Sequence, residues 1–174
     1  MAAKLWIARH CFAGSPSADP KTERERSLTA EGRATAKAIA QAMIKAGEIP
    51  YVVFCSPFAR TVQTADIIVK TINDAGAMLS KNALQVNAIG DLSPMRPIEN
   101  GILNLLSKGE IKRVLLVCHK DNTTPAMNNF GGDSKWKDLT MGEVRRVNMQ
   151  RKDGSWKLRW CIKPSDLGLA DYDN

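Results

Sequence analysis

Two side chains that can carry a phosphoryl group stand next to each other near the start of the sequence. His10 and Cys11 directly follow the apolar run LWIA and Arg9, within the stretch ARHCFAGSP. A cysteine thiolate and a neutral imidazole can both attack phosphorus as nucleophiles, but each needs different neighbours. The surrounding residues therefore decide between the two chemistries.

A thiolate nucleophile requires a phosphate-binding loop directly after it. In the H-C-x-x-G-x-x-R loop of cysteine phosphatases, backbone N–H groups surround the phosphate and the final arginine binds two of its oxygens. The position of that arginine is occupied by Ser17, and Pro16 removes one of the N–H groups that the loop needs. The sequence therefore argues against Cys11 as the nucleophile.

A metal site built from cysteine and histidine is a second alternative. His10 and Cys11 are adjacent in the sequence, and so are Cys118 and His119. Neighbouring residues of a strand point to opposite faces, so neither pair can bind one ion unless the backbone turns there. The four cysteines have no CxxC spacing, which is typical of free thiols in a reducing compartment. The sequence thus predicts neither a metal nor another cofactor.

Both histidines of the sequence come directly after an apolar run. LWIAR precedes His10, and VLLVC precedes His119. A third run of this kind, YVVFC, is followed by Ser56, with Arg60 shortly after it. In an open α/β sheet, ligands bind beyond the carboxyl ends of the strands, so these residues are expected at one edge of the sheet.

Arg60 is expected to reach that edge from a helix. Ser56 and Pro57 are of the types favoured at an N-cap and at the first helical position, and helical side chains lean back toward the N-terminus. Two arginines, two histidines and a helix N-terminus form a pocket suited to a phosphoryl dianion. The predicted site consists of Arg9, His10, Ser56, Arg60 and His119, with Ser56 a helix cap first and a phosphate ligand second.

The elements that carry these residues alternate between strands and helices. Continuous apolar runs predict buried parallel strands, and the helices between them begin at Thr29 and Ser56. The C-terminal sequence VRRVNMQRKDGSWKLRWCIK predicts a β-hairpin around Asp153 and Gly154. We therefore expect a three-layer α/β/α sandwich around a mostly parallel sheet. Local signals add a surface loop over Gly14–Arg26, a short strand at Leu84–Val86, a short helix at Ile98–Ser107 and a helix start at Pro125.

Length and charge limit the classes of protein that remain. The 174 residues suit a single domain over 1–174. No apolar run reaches the ~20 residues of a membrane span, and LWIA is too short for a signal peptide, so a cytoplasmic protein is expected. The net charge of +7 favours an anionic partner. The basic residues of the predicted hairpin lack an aromatic stacking platform, which favours a solvated strand edge over a nucleic-acid site.

Four motifs follow one another along nearly the whole chain: Arg9-His10, LTAEGRATAKAIA, SPFARTVQTA and VLLVCH. Together they resemble the histidine phosphatase (phosphoglycerate mutase-like) superfamily. The short length, DLSP at Asp91–Pro94 and the C-terminal W-x-x-x-P-S-D-L motif are most similar to the SixA-type phosphohistidine phosphatases. The chain departs from the superfamily pattern at Cys11, where glycine is usual, and in the polar residues Lys120–Asn122.

The resemblance implies a phosphoglycerate mutase-like fold and a metal-independent phosphatase. His10 would attack phosphorus and form a phosphohistidine intermediate, while Arg9, Arg60 and His119 would neutralise the phosphoryl oxygens. The substrate that it implies is phosphohistidine in a protein, with phosphate as the product. A phosphorylated imidazole suits such a site because its nitrogen can leave without a dedicated proton donor.

The general acid that an alkoxide leaving group needs has no secure counterpart in the sequence. Asp91 and Glu99 are the candidates by position, although a carboxylate before Ser93-Pro94 is also a common turn former. With such an acid the protein would be a small-molecule phosphomonoesterase of the same superfamily. A catalytically weak phosphate-binding module is the third alternative, and the polar residues after His119 are its indication.

Overall fold

A six-stranded sheet in the order β3-β2-β4-β1-β5-β6 forms the centre of the molecule. The structure is a computed structural model that describes residues 3–78, 86–88, 96–108, 111–131, 138–150 and 155–173. The first four strands in this order are parallel, and β5 and β6 add an antiparallel hairpin beside β1. The strands are β1 (Lys4–Arg9), β2 (Val52–Cys55), β3 (Val86–Ala88), β4 (Arg113–Cys118), β5 (Val144–Met149) and β6 (Trp156–Ile162).

Helices cover both faces of the sheet. They are α1 (Pro20–Glu25), α2 (Ala30–Lys45), α3 (Ala59–Asp74), α4 (Arg96–Ser107) and α5 (Lys120–Gly131), followed by a short 3-10 turn at Pro164–Leu167. None of the helices in the described part of the chain is long and apolar enough to cross a membrane. The predicted α/β fold with a largely parallel sheet and a C-terminal hairpin is confirmed.

The core is divided into two layers by the alternation of side chains along the central strands. Leu5 and Ile7 of β1 pack with apolar residues of α4 and α5. Trp6 and Ala8, the neighbours of these residues in the strand, pack with α2 and α3 on the opposite face. Strands buried on both faces need apolar residues at every position, which explains the continuous apolar runs of β1 and β4.

Three local predictions differ from the structure. Helix α3 begins at Ala59 rather than Ser56, and its N-cap residue Phe58 makes no side-chain cap hydrogen bond. Pro125 lies inside α5 rather than at its start, because the helix already begins at Lys120. The segment predicted as a loop over Gly14–Arg26 contains α1, which the side chain of Asp19 caps by accepting a hydrogen bond from the amide of Thr22.

The smaller β-elements are only partly covered by the described residues. The short strand predicted at Leu84–Val86 appears as β3, displaced toward the C-terminus to Val86–Ala88. The predicted hairpin is present in the pairing of β5 with β6. Its turn residues Asp153 and Gly154 lie outside the described residues.

Helix α2 is held against the segment that follows β1 by a close backbone contact. The hydroxyl of Thr29 accepts a hydrogen bond from the amide of Gly32, and the amide of Thr29 donates to the carbonyl of Phe12 at 3.1 Å. A Cβ atom at Gly32 would lie 2.0 Å from the same carbonyl oxygen. Only glycine permits this approach, which places the start of α2 beside the residues after His10.

We predict that Gly32→Ala lowers the free energy of unfolding by about 3 kcal/mol, since backbone must move to admit the methyl group. Urea denaturation of both proteins measures this change. Gly101→Ala is the matched control because Gly101 lies in the exposed face of α4 with nothing within 4 Å of the added carbon. That control should stabilise the protein by roughly 0.5–1 kcal/mol through better helix propensity. Equal changes in the free energy of unfolding for Gly32→Ala and Gly101→Ala would contradict the close contact at Gly32.

Candidate active site

The two histidines meet at the carboxyl edge of the sheet. In the parallel register of β1 and β4, Arg9 lies opposite Cys118, and the amide of His10 donates to the Cys118 carbonyl at 3.0 Å. The ring centroids of His10 and His119 are 5.4 Å apart in an edge-on arrangement. The strand pairing therefore brings both imidazoles into one site.

The imidazole of His10 is buried and has a defined tautomer. Its Nδ1 lies 2.8 Å from the carbonyl oxygen of Cys11, which accepts only, so Nδ1 carries the hydrogen and Nε2 has an unprotonated lone pair in the plane of the ring. Burial lowers the pKa of His10 to about 3; the Cys11 hydrogen bond opposes this shift, and the charges of His119, Arg60 and Arg9 add to it. The ring is therefore neutral near pH 7, as a nucleophile must be.

Arg60, in the first turn of α3, directs its guanidinium at the nucleophilic atom of His10. Its Nε lies 3.3 Å from His10 Nε2. Its Nη1 donates to the backbone carbonyl of Glu23 at 2.8 Å, and its Nη2 is 3.0 Å from the Glu23 carboxylate. The guanidinium also lies over the ring of Phe58, 4.9 Å from its centroid. An oxygen of a phosphoryl group at Nε2 would therefore be within reach of this cation.

His119 and Ser56 form a second part of the site. His119 Nε2 is 2.9 Å from the hydroxyl oxygen of Ser56, and the rings of Phe58 and His119 are edge-on with centroids 4.9 Å apart. Ser56 is buried at the end of β2. Its hydroxyl is thus a partner of His119 rather than the helix cap that the sequence suggested, because α3 begins only at Ala59.

Arg9 points to the face of the sheet opposite to His10, since strand neighbours alternate. Its Nη1 donates to the carbonyl of Leu139 at 3.0 Å. The guanidinium forms part of the wall of an open cavity of about 420 Å³. Burial lowers the pKa of Arg9, and its charge in turn contributes to the low pKa of His10. Arg9 is therefore within electrostatic range of the nucleophile, and its predicted contact with the phosphoryl group stays a prediction.

Cys11 is a packing residue in this structure. Its thiol is buried among Ala13, Leu28 and Ala36, and burial raises its pKa to about 12. The Cys11 side chain fits at a position where the superfamily usually has glycine because its neighbour Gly142, with a φ of +84°, has no side chain. A Cβ atom at Gly142 would lie 3.3 Å from the Cys11 sulfur. A neutral thiol is a poor nucleophile, which agrees with the sequence argument against a cysteine mechanism.

The candidate general acids are not positioned by the structure. Asp91 lies outside the described residues. Glu99 belongs to α4, and its side chain is also outside the described part. Both carboxylates therefore stay predictions. The described residues contain no group of three or more histidine, cysteine or acidic side chains that could hold a metal ion.

Sequence reasoning missed the contribution of the segment that it treated as a plain surface loop. Glu23 of this segment pairs with Arg60, and Arg26 holds Glu23 through both ends of its guanidinium, at 2.8 and 2.9 Å. Arg26 also donates to the backbone carbonyl of Gly14 at 2.8 Å. The spacing of acid and base in TERER was the available signal, but it is equally typical of an exposed helix face.

The family model described as histidine phosphatase superfamily (branch 1) matches residues 5–92. The chain belongs to the histidine phosphatase superfamily. The matched region contains His10, Arg60 and the segment with Glu23 and Arg26. Comparison with curated proteins finds no significant match.

Solved structures share the fold of this superfamily member over almost its full length. The SixA protein of Agrobacterium tumefaciens, provisionally named a phosphohistidine phosphatase, is 19% identical with a TM-score of 0.72, covering 93% of this chain and 99% of that one. The protein histidine phosphatase SixA complexed with tungstate is 20% identical with a TM-score of 0.73, covering 94% and 99%. A provisionally named α-ribazole-5′-P phosphatase of Escherichia coli K-12 is 16% identical with a TM-score of 0.63, covering 94% and 97%.

Two motif residues of this histidine phosphatase fold brace the loops around the site. The side-chain oxygen of Gln63 accepts a hydrogen bond from the amide of Leu28 at 2.8 Å. The hydroxyl of Thr64 accepts one from the amide of Cys11 at 3.1 Å and donates to the carbonyl of Arg60 at 2.7 Å. Helix α3 therefore fixes the backbone on both sides of the loop after His10.

We predict that the ring of His10 does not titrate near neutral pH. Because its pKa is about 3 in the folded protein and about 6.5 in an unfolded chain, the unfolded state binds more protons below pH ~6.5. The stability contributed by the neutral ring is complete above pH ~6.5 and falls as the pH drops toward the folded pKa, by up to about 2 kcal/mol at pH 5. NMR of the ring and urea denaturation against pH measure both effects.

The control for this prediction is the second histidine. His10→Gln should remove this part of the acid sensitivity, and His119→Gln should leave it in place. A His10 resonance that shifts with a midpoint near pH 6.5 would contradict the burial argument.

Proposed function

We propose that the protein is a phosphatase that hydrolyses phosphohistidine in proteins through a phosphohistidine intermediate on His10. The observation that carries the proposal is the neutral Nε2 of His10, free of hydrogen and facing the guanidinium of Arg60 at 3.3 Å. A nucleophile and an oxyanion-binding cation at this separation fit phosphoryl transfer, which depends on positioning and charge stabilisation.

In the first step, Nε2 of His10 attacks phosphorus in line, and the bond from phosphorus to the substrate imidazole breaks. The leaving nitrogen takes a proton from water. The Nε–H of Arg60, which donates a hydrogen bond to His10 Nε2 before the reaction, then donates to a phosphoryl oxygen instead. His119 and Arg9 contribute further positive charge or hydrogen bonds. The hydrogen bond from Nδ1 to the Cys11 carbonyl stabilises the ring as Nε2 becomes positive.

In the second step, water attacks phosphorus and the bond to His10 Nε2 breaks. The products are inorganic phosphate and the neutral imidazole, so the site returns to its starting state. Burial lowers the pKa values of Arg9 and Arg60. Because arginine stays protonated in proteins, both side chains keep their charge through the two steps. The proposal includes no metal ion.

The charge state of Glu23 excludes it as the proton donor that a phosphate ester would need. Glu23 is the carboxylate that the described residues place beside Arg60. Hydrogen bonds from Arg26, above all, lower its pKa to about 2. It therefore cannot donate a proton near pH 7, as an alkoxide leaving group would require. An imidazole leaving group needs no such donor.

A small-molecule phosphomonoesterase is the second candidate. The fold similarity to the α-ribazole-5′-P phosphatase of E. coli is the observation that favours it. In this case Asp91 or Glu99 would supply the proton to the leaving oxygen.

A phosphorylated protein as partner agrees with the net charge of +7. The free thiols agree with the cytoplasm as the compartment.

We predict that a panel of substrates, assayed with EDTA present, ranks phosphohistidine protein above phosphoserine peptide and sugar phosphates. His10→Ala should abolish turnover, since it removes the nucleophile. Cys11→Ser is the matched control and should keep most of the activity, because the thiol is a packing group. Release of inorganic phosphate measures both variants.

The remaining outcomes of the panel separate the alternatives. Preference for a sugar phosphate would replace the proposed substrate with a small molecule. Binding of vanadate or tungstate without turnover of any substrate would indicate a phosphate-binding module. An active His10→Ala protein with an inactive Cys11→Ser protein would refute the histidine mechanism.

We predict that Arg60→Lys lowers kcat/KM roughly ten- to a hundredfold, or about 1.5–3 kcal/mol, the usual range for a charge-assisted hydrogen bond. Lysine keeps the charge but loses the planar set of donors that contacts His10 and Glu23. Steady-state kinetics on an aryl phosphate measure the change. Arg159→Lys on the exposed strand β6 should keep the parental rate. A parental rate in Arg60→Lys would place Arg60 outside the reaction.

A further inference from the structure

Glu23 pairs with two arginines, one of which contacts the nucleophile. One of its carboxylate oxygens is 3.0 Å from Arg60 Nη2 and 2.8 Å from Arg26 Nη2. The other oxygen accepts hydrogen bonds from Arg26 Nε and from the amide of Ser17, both at 2.9 Å. A carboxylate thus bridges Arg26 and Arg60, and Arg60 in turn contacts His10.

We propose that Glu23 is a positioning residue of the reaction. It holds the guanidinium of Arg60 in the orientation that binds the phosphoryl oxygens. This inference rests on the proposed function, because it concerns the same nucleophile and the same cation. Glu23 acts through Arg60 and makes no contact with the reacting atoms.

The geometry of Arg60 shows how Glu23 determines its orientation. The carboxylate holds Nη2, and the backbone carbonyl of the same residue holds Nη1 at 2.8 Å. Two fixed points on a planar group define the direction of its Nε–H, which meets His10 Nε2. Of the five N–H donors of an arginine, the described contacts use one on each nitrogen. One donor on each Nη is therefore left for phosphoryl oxygens.

The charge of Glu23 also permits the two arginines to lie close together. Desolvation lowers the pKa of Arg60, and the nearby charge of Arg26 lowers it further, while Glu23 raises it. The Glu23 side chain is 22% exposed, and its hydrogen bonds with Arg26 are the first cause of its low pKa. The cations are thus held in place before the phosphoryl dianion arrives, which spares the reaction the cost of ordering them.

Helix α1 supplies the rigidity that this role needs. Asp19 caps the helix, and Arg26 ties its end to the backbone carbonyls of Ala13 and Gly14. The segment is therefore anchored to the loop that follows His10. A carboxylate on such a segment keeps its distance from the nucleophile fixed.

The test compares Glu23→Gln with the parent protein in the full chain. Glutamine keeps the size and one acceptor oxygen but loses the charge. With that oxygen at the two Nη2 atoms, its NH2 group would meet the N–H donors of Arg26 Nε and Ser17 instead of accepting from them. We expect kcat on a generic aryl phosphate to fall about tenfold, with KM within about twofold of the parent. Inhibition by vanadate, which resembles the transition state, should weaken about tenfold, and inhibition by phosphate less than threefold. Glu25→Gln, an exposed change on the same helix, should match the parent.

A double-mutant comparison identifies the residue through which Glu23 acts. In an Arg60→Ala background, Glu23→Gln should produce no further loss of vanadate affinity, because the group it orients is gone. A full additional loss would overturn the inference. So would a lower melting temperature with an unchanged ratio of vanadate to phosphate affinity, which would indicate a purely structural residue. Tighter binding of both anions would show that Glu23 repels the substrate instead.

The anion-binding readout separates this inference from the proposed function. A parent that binds vanadate but does not hydrolyse phosphohistidine would refute the substrate, and the vanadate affinities of the variants would still decide the role of Glu23. A parent that binds no vanadate and hydrolyses no phosphate compound would overturn both.

Discussion

The parallel pairing of β1 with β4 is the constraint on which the rest of the site depends. In this register the two strands end at the same level, and the amide of His10 donates to the carbonyl of Cys118. Each strand therefore places a histidine at the same edge of the sheet, 5.4 Å apart between ring centroids. A slip of one residue would turn His10 to the opposite face, away from Arg60. The apolar residues on both faces of these strands oppose such a slip, because it would exchange the two halves of the core.

Burial has opposite consequences for the two adjacent nucleophiles of the first loop. It lowers the pKa of His10 and raises that of Cys11, so both side chains are neutral near pH 7. A neutral imidazole has a nucleophilic lone pair, whereas a neutral thiol is nearly inert. The same low-dielectric surroundings thus keep His10 nucleophilic and make Cys11 unreactive. The hydrogen bond from His10 to the Cys11 carbonyl then determines which ring nitrogen faces the site.

The cations around His10 form a site for an anion only because other parts of the chain hold them in position. Arg60 is held by Glu23, Glu23 by Arg26, and Arg26 by the loop that follows His10. Such closed chains of charge-assisted contacts keep like charges close together at a partly buried position. The segment between β1 and α2 is therefore part of the site, although it contributes little apolar packing.

Local patterns in the sequence were sufficient for the elements and for the edge of the sheet where the histidines lie. Continuous apolar runs identified β1, β2 and β4, and the turn signals identified the hairpin, because burial on both faces and tight turns restrict residue type locally. The start of α3, the helix in the loop and the partner of Ser56 depended on contacts between residues distant in sequence. The hydroxyl of Ser56 pairs with His119 instead of capping a helix, and no local signal records that choice. Sequence determined which residues could perform the chemistry, and tertiary packing decided their tautomer, charge and supporting partners, since burial and hydrogen bonding arise only when the elements meet.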